Sequence, residues 1–450
     1  MESEDNCMIY ILCPANITTG GPELLHQLGY KLRLFGFDVS IFYYERKENK
    51  SPVSEQYQKY QVPYVDEIKD KSENIVIFPE VMLNGIKFVK NALRVVWWLS
   101  VDNAKYDDKI KKIIQEDTSI LHFSQSRYAT DYLINTVKIA ENRIYYLSDY
   151  INNEFLNVLP DVPRDDVVLF NPKKGFDTTG VIIKMSNATI KWQVLAGLTP
   201  KQMHEIMHRA KVYIDFGNHP GKDRMPREAA VSGCCIVTNK KGAANNDIDI
   251  IIPERYKFTE QAKVQDALNT IYELIENYDE RKNDYVGYVE RTKNEFIEFE
   301  KDVLYIFEKI TNRETKNFSE TETIAIIQQE VEQENYKEAF RILIKYKNLN
   351  YPDNIILDIL ETNIRIGLGE YPEAEYCCRK GLRKDNDNYE LLLLLAQICY
   401  LTTVSKDRCL EAIEYVNKAL EFSKDSPEEE YVSEICDIYL KEIEKIITKK

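Results

Sequence analysis

Apolar runs of strand length alternate with amphipathic helical segments through the first third of the chain. The predicted strands are MIYILCPA, VSIFYY, NIVIFP, RVVWWLS and SILHFSQ. Between the first two, Leu24, Leu25, Leu28 and Leu32 repeat with the period of a helix that ends at Gly36. A charged helix from Tyr106 to Gln115 separates the last two strands. Strands joined by helices form parallel crossover units, so this pattern predicts a doubly wound α/β domain.

The same alternation restarts near Val167. Here the predicted strands are VVLFNP, IKWQVLAG, VYIDF and CCIVT, with a helix that begins at Thr199-Pro200. The segment NVLPDVPRDD, with two prolines and three aspartates, interrupts the pattern and marks a hinge. We therefore expect two successive Rossmann-like domains, at residues 1–157 and 158–312.

After about residue 290 the strand signals stop and a helical repeat begins. Asn335-Tyr336-Lys337-Glu338-Ala339 returns 35 residues later in Gly369-Glu370-Tyr371-Pro372-Glu373-Ala374, and a third copy, Cys409-Leu410-Glu411-Ala412, follows after another 38 residues. The first copy departs most from the pattern, and the third carries an insertion of about one helical turn. This pattern resembles tetratricopeptide repeats, in which pairs of helices recur about every 34 residues. The resemblance predicts an all-α domain at residues 318–450, after the polar junction TNRETKNFSETET. The alternative is an ordinary helical tail with coincidental spacing.

Composition excludes several classes of protein. The 450-residue chain is 44% hydrophobic and 30% charged, which is typical of globular domains. Its 74 acidic and 59 basic residues give a net charge of -15, which argues against nucleic acid as a partner. Nine cysteines without a CxxC pair favour free thiols in a reducing cytoplasm. An acidic N-terminus and the lack of a long apolar run predict a cytoplasmic protein, with peripheral contact at the inner face of a membrane left open.

The most informative segment runs from Val212 to Ala244. It predicts a buried strand, a polar loop, a helix that opens at Arg227-Glu228, and a second buried strand. Ligands of open α/β sheets bind at the carboxyl ends of the strands, where this loop lies. The order of residues resembles the donor-binding segment of GT-B glycosyltransferases, in which a helix of the form E-A-A-x-x-G holds the ribose of a nucleotide-sugar. Glu228 matches the glutamate of that helix.

The resemblance also implies roles for the neighbouring residues. Arg227 or Arg224 would stabilise the departing diphosphate through bidentate contacts. His219 and Lys222 would contact the donor sugar. Many retaining members carry a second acidic residue where this chain has Pro220, so a retaining or an inverting outcome stays open.

Three further places carry the resemblance. Gly20 and Gly21 follow the first strand, where backbone amides can approach a phosphate or a sugar, although a tight turn also needs glycine. One of Lys173 and Lys174 would serve the diphosphate, unless both are ordinary surface lysines. Asp102 follows a strand of the first domain and is the candidate catalytic base. Its alternative role is to cap the helix that begins near Tyr106.

Together these features predict a GT-B glycosyltransferase that moves a sugar from a nucleotide-diphosphate sugar to a glycan, lipid-linked or protein acceptor. The resemblance implies no metal and no further cofactor. The helical tail would recruit a protein partner or the acceptor, and its alternatives are a brace on the body or a homodimer contact. A non-catalytic scaffold that binds sugar-nucleotides or proteins is the alternative function.

A zinc metalloprotease is a second alternative, because His204-Glu205-Ile206-Met207-His208 fits the string H-E-x-x-H. The apolar stripe of this helix, which includes Met203 and Met207, predicts that both histidines point towards solvent. Asp247 and Asp249, and likewise the string DNDN at 385–388, are expected to lie in loops that bind no metal.

Overall fold

The computed structural model describes residues 7–48, 50–313, 318–350, 352–402 and 406–449. The chain divides into two compact units. One comprises Met1–Phe155 with Asp161–Arg313, and the other comprises Leu156–Pro160 with Glu314–Lys450. The first unit holds two parallel sheets, and the second is helical.

The first lobe, as we call it, is a seven-stranded parallel sheet with three helices. The strands are β1 (Met8–Pro14), β2 (Asp38–Tyr44), β3 (Tyr64–Val65), β4 (Ile75–Pro79), β5 (Leu93–Trp98), β6 (Leu121–Ser124) and β7 (Ile144–Tyr146), in the order β3-β2-β1-β4-β5-β6-β7. The helices are α1 (Gly20–Leu34), α2 (Asp108–Glu116) and α3 (Arg127–Tyr132). The apolar runs form strands because both faces of the sheet are covered, and Ile9, Ile11, Trp97 and Trp98 are each fully buried.

The second lobe is a five-stranded parallel sheet with helices on its faces. Its strands are β8 (Asp165–Phe170), β9 (Lys191–Val194), β10 (Ala210–Asp215), β11 (Cys235–Asn239) and β12 (Lys257–Phe258), in the order β12-β11-β10-β8-β9. Its helices are α4 (Phe176–Met185), α5 (Pro200–Arg209), α6 (Arg224–Val231), α7 (Val264–Glu276) and α8 (Tyr278–Arg281). The start predicted at Thr199-Pro200 is confirmed, since Thr199 caps α5 in a capping box with Gln202.

The helix that carries Glu228 begins earlier than predicted. We expected it to open at Arg227-Glu228, whereas α6 opens at Arg224. Residues Arg224 and Glu228 therefore lie one helical turn apart on the same face of α6, which matters for the site.

A long helix, α9 (Val286–Ile310), follows the second lobe and packs against the first lobe. The ring of Phe299 stacks with Trp97 at a centroid distance of 6.4 Å. Glu300 forms an ion pair with Lys31 of α1 at 2.7 Å, and both side chains are almost completely buried. Because breaking one partner of a buried pair is costly, this contact fixes α9 on the first lobe.

In the residues that the structure describes, the tail contains seven helices in succession. They are α10 (Glu320–Glu332), α11 (Tyr336–Asn350), α12 (Ile355–Gly367), α13 (Tyr371–Leu382), α14 (Tyr389–Leu401), α15 (Lys406–Phe422) and α16 (Glu429–Lys449). The repeated alanines Ala339, Ala374 and Ala412 are fully buried. A β-carbon on Gly381 would lie 2.8 Å from the Leu391 side chain, so this position needs a small residue.

The predicted fold class, two α/β lobes followed by a helical tail, is confirmed. The tetratricopeptide assignment of the tail stays a prediction. Among the helices of the described residues, none is long and apolar enough to cross a bilayer. All nine cysteines are free thiols.

Candidate functional site

A cleft of about 890 Å³ separates the two lobes. From the first lobe it is lined by the loops after β1 and β5 and by the chain after β7. From the second lobe it is lined by the loops after β8, β9 and β10. These are the carboxyl ends of parallel strands, where open α/β sheets bind ligands. The cleft is therefore the candidate functional site.

Glu228 lies at the bottom of this cleft, with only 5% of its surface exposed. Within the part of the chain that the structure describes, no donor forms a hydrogen bond with its carboxylate. Burial raises the pKa of Glu228 to about 7. The positive charges of Arg224 and Arg227 lower this pKa, whereas the negative charges of Glu23 and Asp149 raise it. A buried carboxylate without donors is costly unless a ligand supplies them. The side chain is therefore suited to accept hydrogen bonds from a ligand with hydroxyl groups.

Arg224 reaches across the cleft from the same face of α6. Its guanidinium forms an ion pair with Glu23 of the first lobe at 2.6 Å and donates to Gln27 at 2.8 Å. A β-carbon on Gly20 would lie 3.3 Å from Cδ of Arg224, so the glycine leaves room for the arginine. Gly20 and Gly21 both line the cleft at the start of α1, and Thr19 makes no side-chain cap there. The first amides of α1 are thus free of a side-chain cap beside a cationic group, which suits an anion.

Arg227 has a different place, because it is completely buried outside the cleft lining. Its Nη2 donates to both carboxylate oxygens of Asp149 at 2.8 Å, and its Nη1 donates to Glu295 of α9 at 2.5 Å. Burial alone would raise the pKa of Asp149, but Arg227 and its basic neighbours lower it. Arg227 therefore joins the first lobe, the second lobe and α9. A direct role in catalysis stays a prediction, and this placement does not support it.

Lys222 lines the cleft but is 6% exposed. Its ammonium group lies 2.5 Å from Glu295 and 3.3 Å from the Ser148 hydroxyl. The lysine is held by α9 and by the first lobe, so contact with a sugar would require it to exchange these partners.

The loop that carries Lys222 packs between the lobes. The amide of Val101 donates to the Pro220 carbonyl at 2.9 Å. The amide of Lys222 donates to Gln125 at 2.8 Å. A β-carbon on Gly221 would lie 2.2 Å from the Leu99 carbonyl oxygen, so only glycine permits this approach of the two backbones.

His219, predicted to contact the donor, is fully buried behind the cleft rather than in its lining. Its Nδ1 lies 2.7 Å from Asp223, and its Nε2 lies 3.9 Å from Asp215. Asp215, His219 and Asp223 are close enough together to be considered as metal ligands. The two ring nitrogens face different carboxylates, however, and the ammonium of Lys174 already lies 2.6 Å from Asp223. The cluster therefore fits a set of close polar contacts around Asp223 better than a metal centre.

Lys173 and Lys174 both line the cleft, at the loop after β8. Lys174 is held by Asp223, whereas Lys173 has an exposed side chain. The N-terminus of α4 follows directly, with Gly175 as the preceding cap residue. An ammonium group beside a helix N-terminus favours a bound anion.

Asp102 lies in a short 3₁₀ turn after β5, outside the cleft lining. One carboxylate oxygen accepts from the Tyr128 hydroxyl at 3.0 Å, and the other accepts from Asn218 at 2.8 Å. Its alternative role as a helix cap is wrong, because Asp107 caps α2 by accepting from Ile110. The role of Asp102 as catalytic base stays a prediction, and its position does not support it.

The histidines of the H-E-x-x-H string differ from expectation. His204 was expected to face solvent, but it is 3% exposed and packs against the ring of Phe155 at 5.3 Å. Burial lowers the pKa of His204 to about 4, and the neighbouring His208 acts in the same direction. The prediction of solvent exposure is wrong for His204, because Phe155 packs against this side chain. Within the described ranges, these side chains form no group of potential metal ligands.

The two aspartates expected in a loop do lie in one, but Asp249 has a structural role. Its carboxylate accepts from the amides of Arg127 and Tyr128 at 2.8 and 2.9 Å. Asp249 therefore caps α3 of the first lobe from the second lobe. Asp247 forms an ion pair with Lys257.

Several residues that line the cleft were not predicted from the sequence as site residues, notably Glu23, Asn152, Thr199 and Met203. The position of Thr199 could have been found, because it follows a predicted strand and begins a helix. Asn152 lies in irregular chain, where no periodicity indicates what it faces. It donates to Glu23 at 2.5 Å, a contact between residues 129 positions apart.

No family model matches the chain, and no curated protein matches it. Solved structures do. A glycosyltransferase from Rickettsia africae ESF-5 is 13% identical with a TM-score of 0.52, and the match covers 69% of this chain and 100% of that one. A sucrose-phosphate synthase from Thermosynechococcus elongatus is 13% identical with a TM-score of 0.50, and the match covers 68% and 99%. At this identity the likeness concerns the fold, which is that of GT-B glycosyltransferases, as predicted.

Proposed function

We propose that the chain is a glycosyltransferase that takes its sugar from a nucleoside diphosphate sugar. The observation that carries the proposal is Glu228, a cleft-lining carboxylate that is 5% exposed and has no hydrogen-bond donor among the described residues. The two vicinal hydroxyls of a ribose would supply two donors to one carboxylate. Charge-assisted bonds of this kind offset the cost of burying the charge.

The groups around Glu228 support a diphosphate beside the ribose. Lys173, Lys174 and Arg224 line the same cleft as the N-terminus of α1 with its two glycines. Arg224 would exchange its ion pair with Glu23 for one with the diphosphate, because the Glu23 carboxylate and the diphosphate are both anions that its guanidinium can pair with in the cleft. We therefore assign stabilisation of the leaving diphosphate to Arg224 rather than to Arg227, which braces the lobes from outside the cleft.

The acceptor would enter from the first lobe and would be a glycan, a lipid-linked sugar or a protein. The tail would recruit either this acceptor or a protein partner through its helical repeats, and its alternatives are a brace or a contact between two copies of the chain. No metal is needed in this proposal, because lysine and arginine side chains supply the positive charge. A non-catalytic scaffold remains the second candidate function, since a cleft can bind a nucleotide-sugar without catalysing transfer of its sugar.

Thermal unfolding with a panel of nucleoside diphosphates tests the donor site first. We expect one of UDP, GDP or ADP to raise the unfolding temperature of the full chain, and Glu228→Ala to abolish most of that shift. Hydrolysis of the matching nucleotide-sugars then separates enzyme from scaffold, since a scaffold would bind without hydrolysis. Stabilisation by zinc, or activity that a chelator removes, would contradict the proposal.

A further inference from the structure

A second cavity of about 490 Å³ lies on the first lobe beside α1, and we call it the side cavity. It is formed by one residue of α1 and by the chain that connects β2 with β4. Its lining residues are His26, Ser51, Val53, Tyr57, Gln58, Gln61, Val62, Pro63 and Tyr64.

The chemistry of the side cavity is polar but uncharged. Among the described residues that line it there is no aspartate, glutamate, lysine or arginine, although such residues make up 30% of the chain. Burial lowers the pKa of His26, so its ring is neutral near pH 7. Tyrosine rings, two glutamine amides and a serine hydroxyl remain. This combination favours a neutral ligand with hydroxyl groups over a phosphate.

The side cavity adjoins the cleft, because Tyr57 lines both. Its hydroxyl donates to the carbonyl of Thr19, in the cleft loop, at 2.9 Å. Tyr57 belongs to a 3₁₀ helix, Glu55–Tyr60, in which Gln56 lines the cleft and Gln58 lines the side cavity. The side cavity is therefore the neighbour of the cleft on this part of the first lobe, with Tyr57 in the wall between them.

The rim of the side cavity is held in place. Gln61 ends the 3₁₀ helix in the left-handed region, at φ 48° and ψ 33°, and its carbonyl accepts from Arg33. Such a conformation is unfavourable for a glutamine and is kept where surrounding contacts impose it. Tyr64 packs edge-on against Tyr43 at 5.8 Å while 44% of its surface stays exposed. The guanidinium of Arg46 also lies 5.6 Å from the centre of the Tyr64 ring. The exposed part of this ring, beside two amides, is suited to packing against a sugar.

We propose that the side cavity binds a neutral sugar unit of the acceptor, one that lies beyond the unit that reacts in the cleft. This inference rests on the proposed function, because it requires the cleft to hold the reacting sugar. It narrows the acceptor to a saccharide of at least two units, free or carried by a lipid or a protein.

The test is saturation-transfer NMR on the full chain with three neutral disaccharides, namely lactose, maltose and N,N′-diacetylchitobiose. We expect at least one to bind, Tyr64→Leu to weaken binding at least five-fold, and Tyr64→Phe to preserve it, because phenylalanine keeps the ring. The double variant Gln58→Ala with Gln61→Ala should weaken binding to a similar degree. Tyr146→Leu is the matched control, since Tyr146 is a similarly exposed tyrosine (41%) on the same lobe and lines neither cavity.

The inference is wrong if none of the three disaccharides binds, or if Tyr64→Leu binds as well as the unchanged protein. Nucleoside diphosphates are added to the same samples, so that binding at the donor site and binding at the side cavity are tested separately. If a nucleotide stabilises the protein and no disaccharide binds, the sugar site in the side cavity is wrong and the proposed donor site still stands. Lack of any nucleotide binding counts against the proposed function itself.

Discussion

Replacing Glu228 with glutamine should make the ligand-free protein more stable while making it a poorer nucleotide binder. The physical reason is that Glu228 is buried in the cleft, and burial raises its pKa from 4.5 to about 7. A group with a raised pKa stabilises the folded state fully below the unfolded pKa, and this contribution is lost as pH rises through the folded pKa. Glutamine keeps the shape of the side chain but cannot ionise.

The magnitude follows from the two pKa values. At 1.36 kcal/mol per pKa unit, the difference between 4.5 and about 7 corresponds to ~3 kcal/mol. We expect Glu228→Gln and the unchanged protein to unfold at similar temperatures near pH 4. Above pH 7 the variant should unfold about 5 °C higher, given the unfolding entropy of a unit of roughly 300 residues. The loss of charge-assisted bonds to ribose should weaken nucleotide binding by ~1 to 3 kcal/mol.

The assay is thermal unfolding of the full chain from pH 4 to pH 9, with and without the nucleotide that binds. The transition that the nucleotide shifts identifies the unit that contains the cleft. Glu80→Gln is the matched control, because burial also raises the pKa of Glu80 to about 7 while its side chain lies outside the cleft lining. Glu80 accepts a hydrogen bond from the Leu99 amide at 3.0 Å, which the side-chain oxygen of glutamine can still accept. This control should keep its nucleotide affinity. Equal stability of Glu228→Gln and the unchanged protein at pH 8 would contradict the prediction, and so would unchanged nucleotide affinity of Glu228→Gln.

The remaining predictions concern the arginines, the histidines and the tail. Arg224→Ala should weaken nucleotide binding with a small loss of stability. Arg227→Ala should cost ~3 to 5 kcal/mol of stability, because it removes the doubly bonded partner of Asp149 and one of the two cationic partners of Glu295. Unfolding scans and nucleotide titrations distinguish the two variants. His204→Ala combined with His208→Ala should keep donor hydrolysis, also in the presence of a chelator, and loss of activity under both conditions would revive the zinc hypothesis. A chain that ends near Asn312 should stay folded and bind nucleotide, since the cleft-lining residues that the structure describes all precede that point, but it should lose transfer to the natural acceptor. Unfolding of this truncated chain, or transfer at the full rate, would contradict recruitment by the tail.

The sequence predicted the elements that depend on local pattern. Buried parallel strands are apolar over their whole length, so β1, β4, β5, β10 and β11 are evident from composition. The segment of β10, α6 and β11 also predicted where Glu228 lies, because a crossover unit brings the loop after a strand to the edge of the sheet. The short strands β3, β7 and β12 escaped prediction. Two or three residues at a sheet edge have no periodicity of their own and form only because a neighbouring strand is present.

The tertiary structure decided which charged side chains face the cleft. Arg224 and Arg227 look equivalent in sequence, yet only Arg224 shares a face of α6 with Glu228, while Arg227 turns towards Asp149 and Glu295. The helical period fixes these directions relative to one another, but the partners belong to the other lobe and to α9. His219 was likewise expected in the site and is buried behind it. Contacts between residues far apart in the chain determine such placements, and no local pattern encodes them.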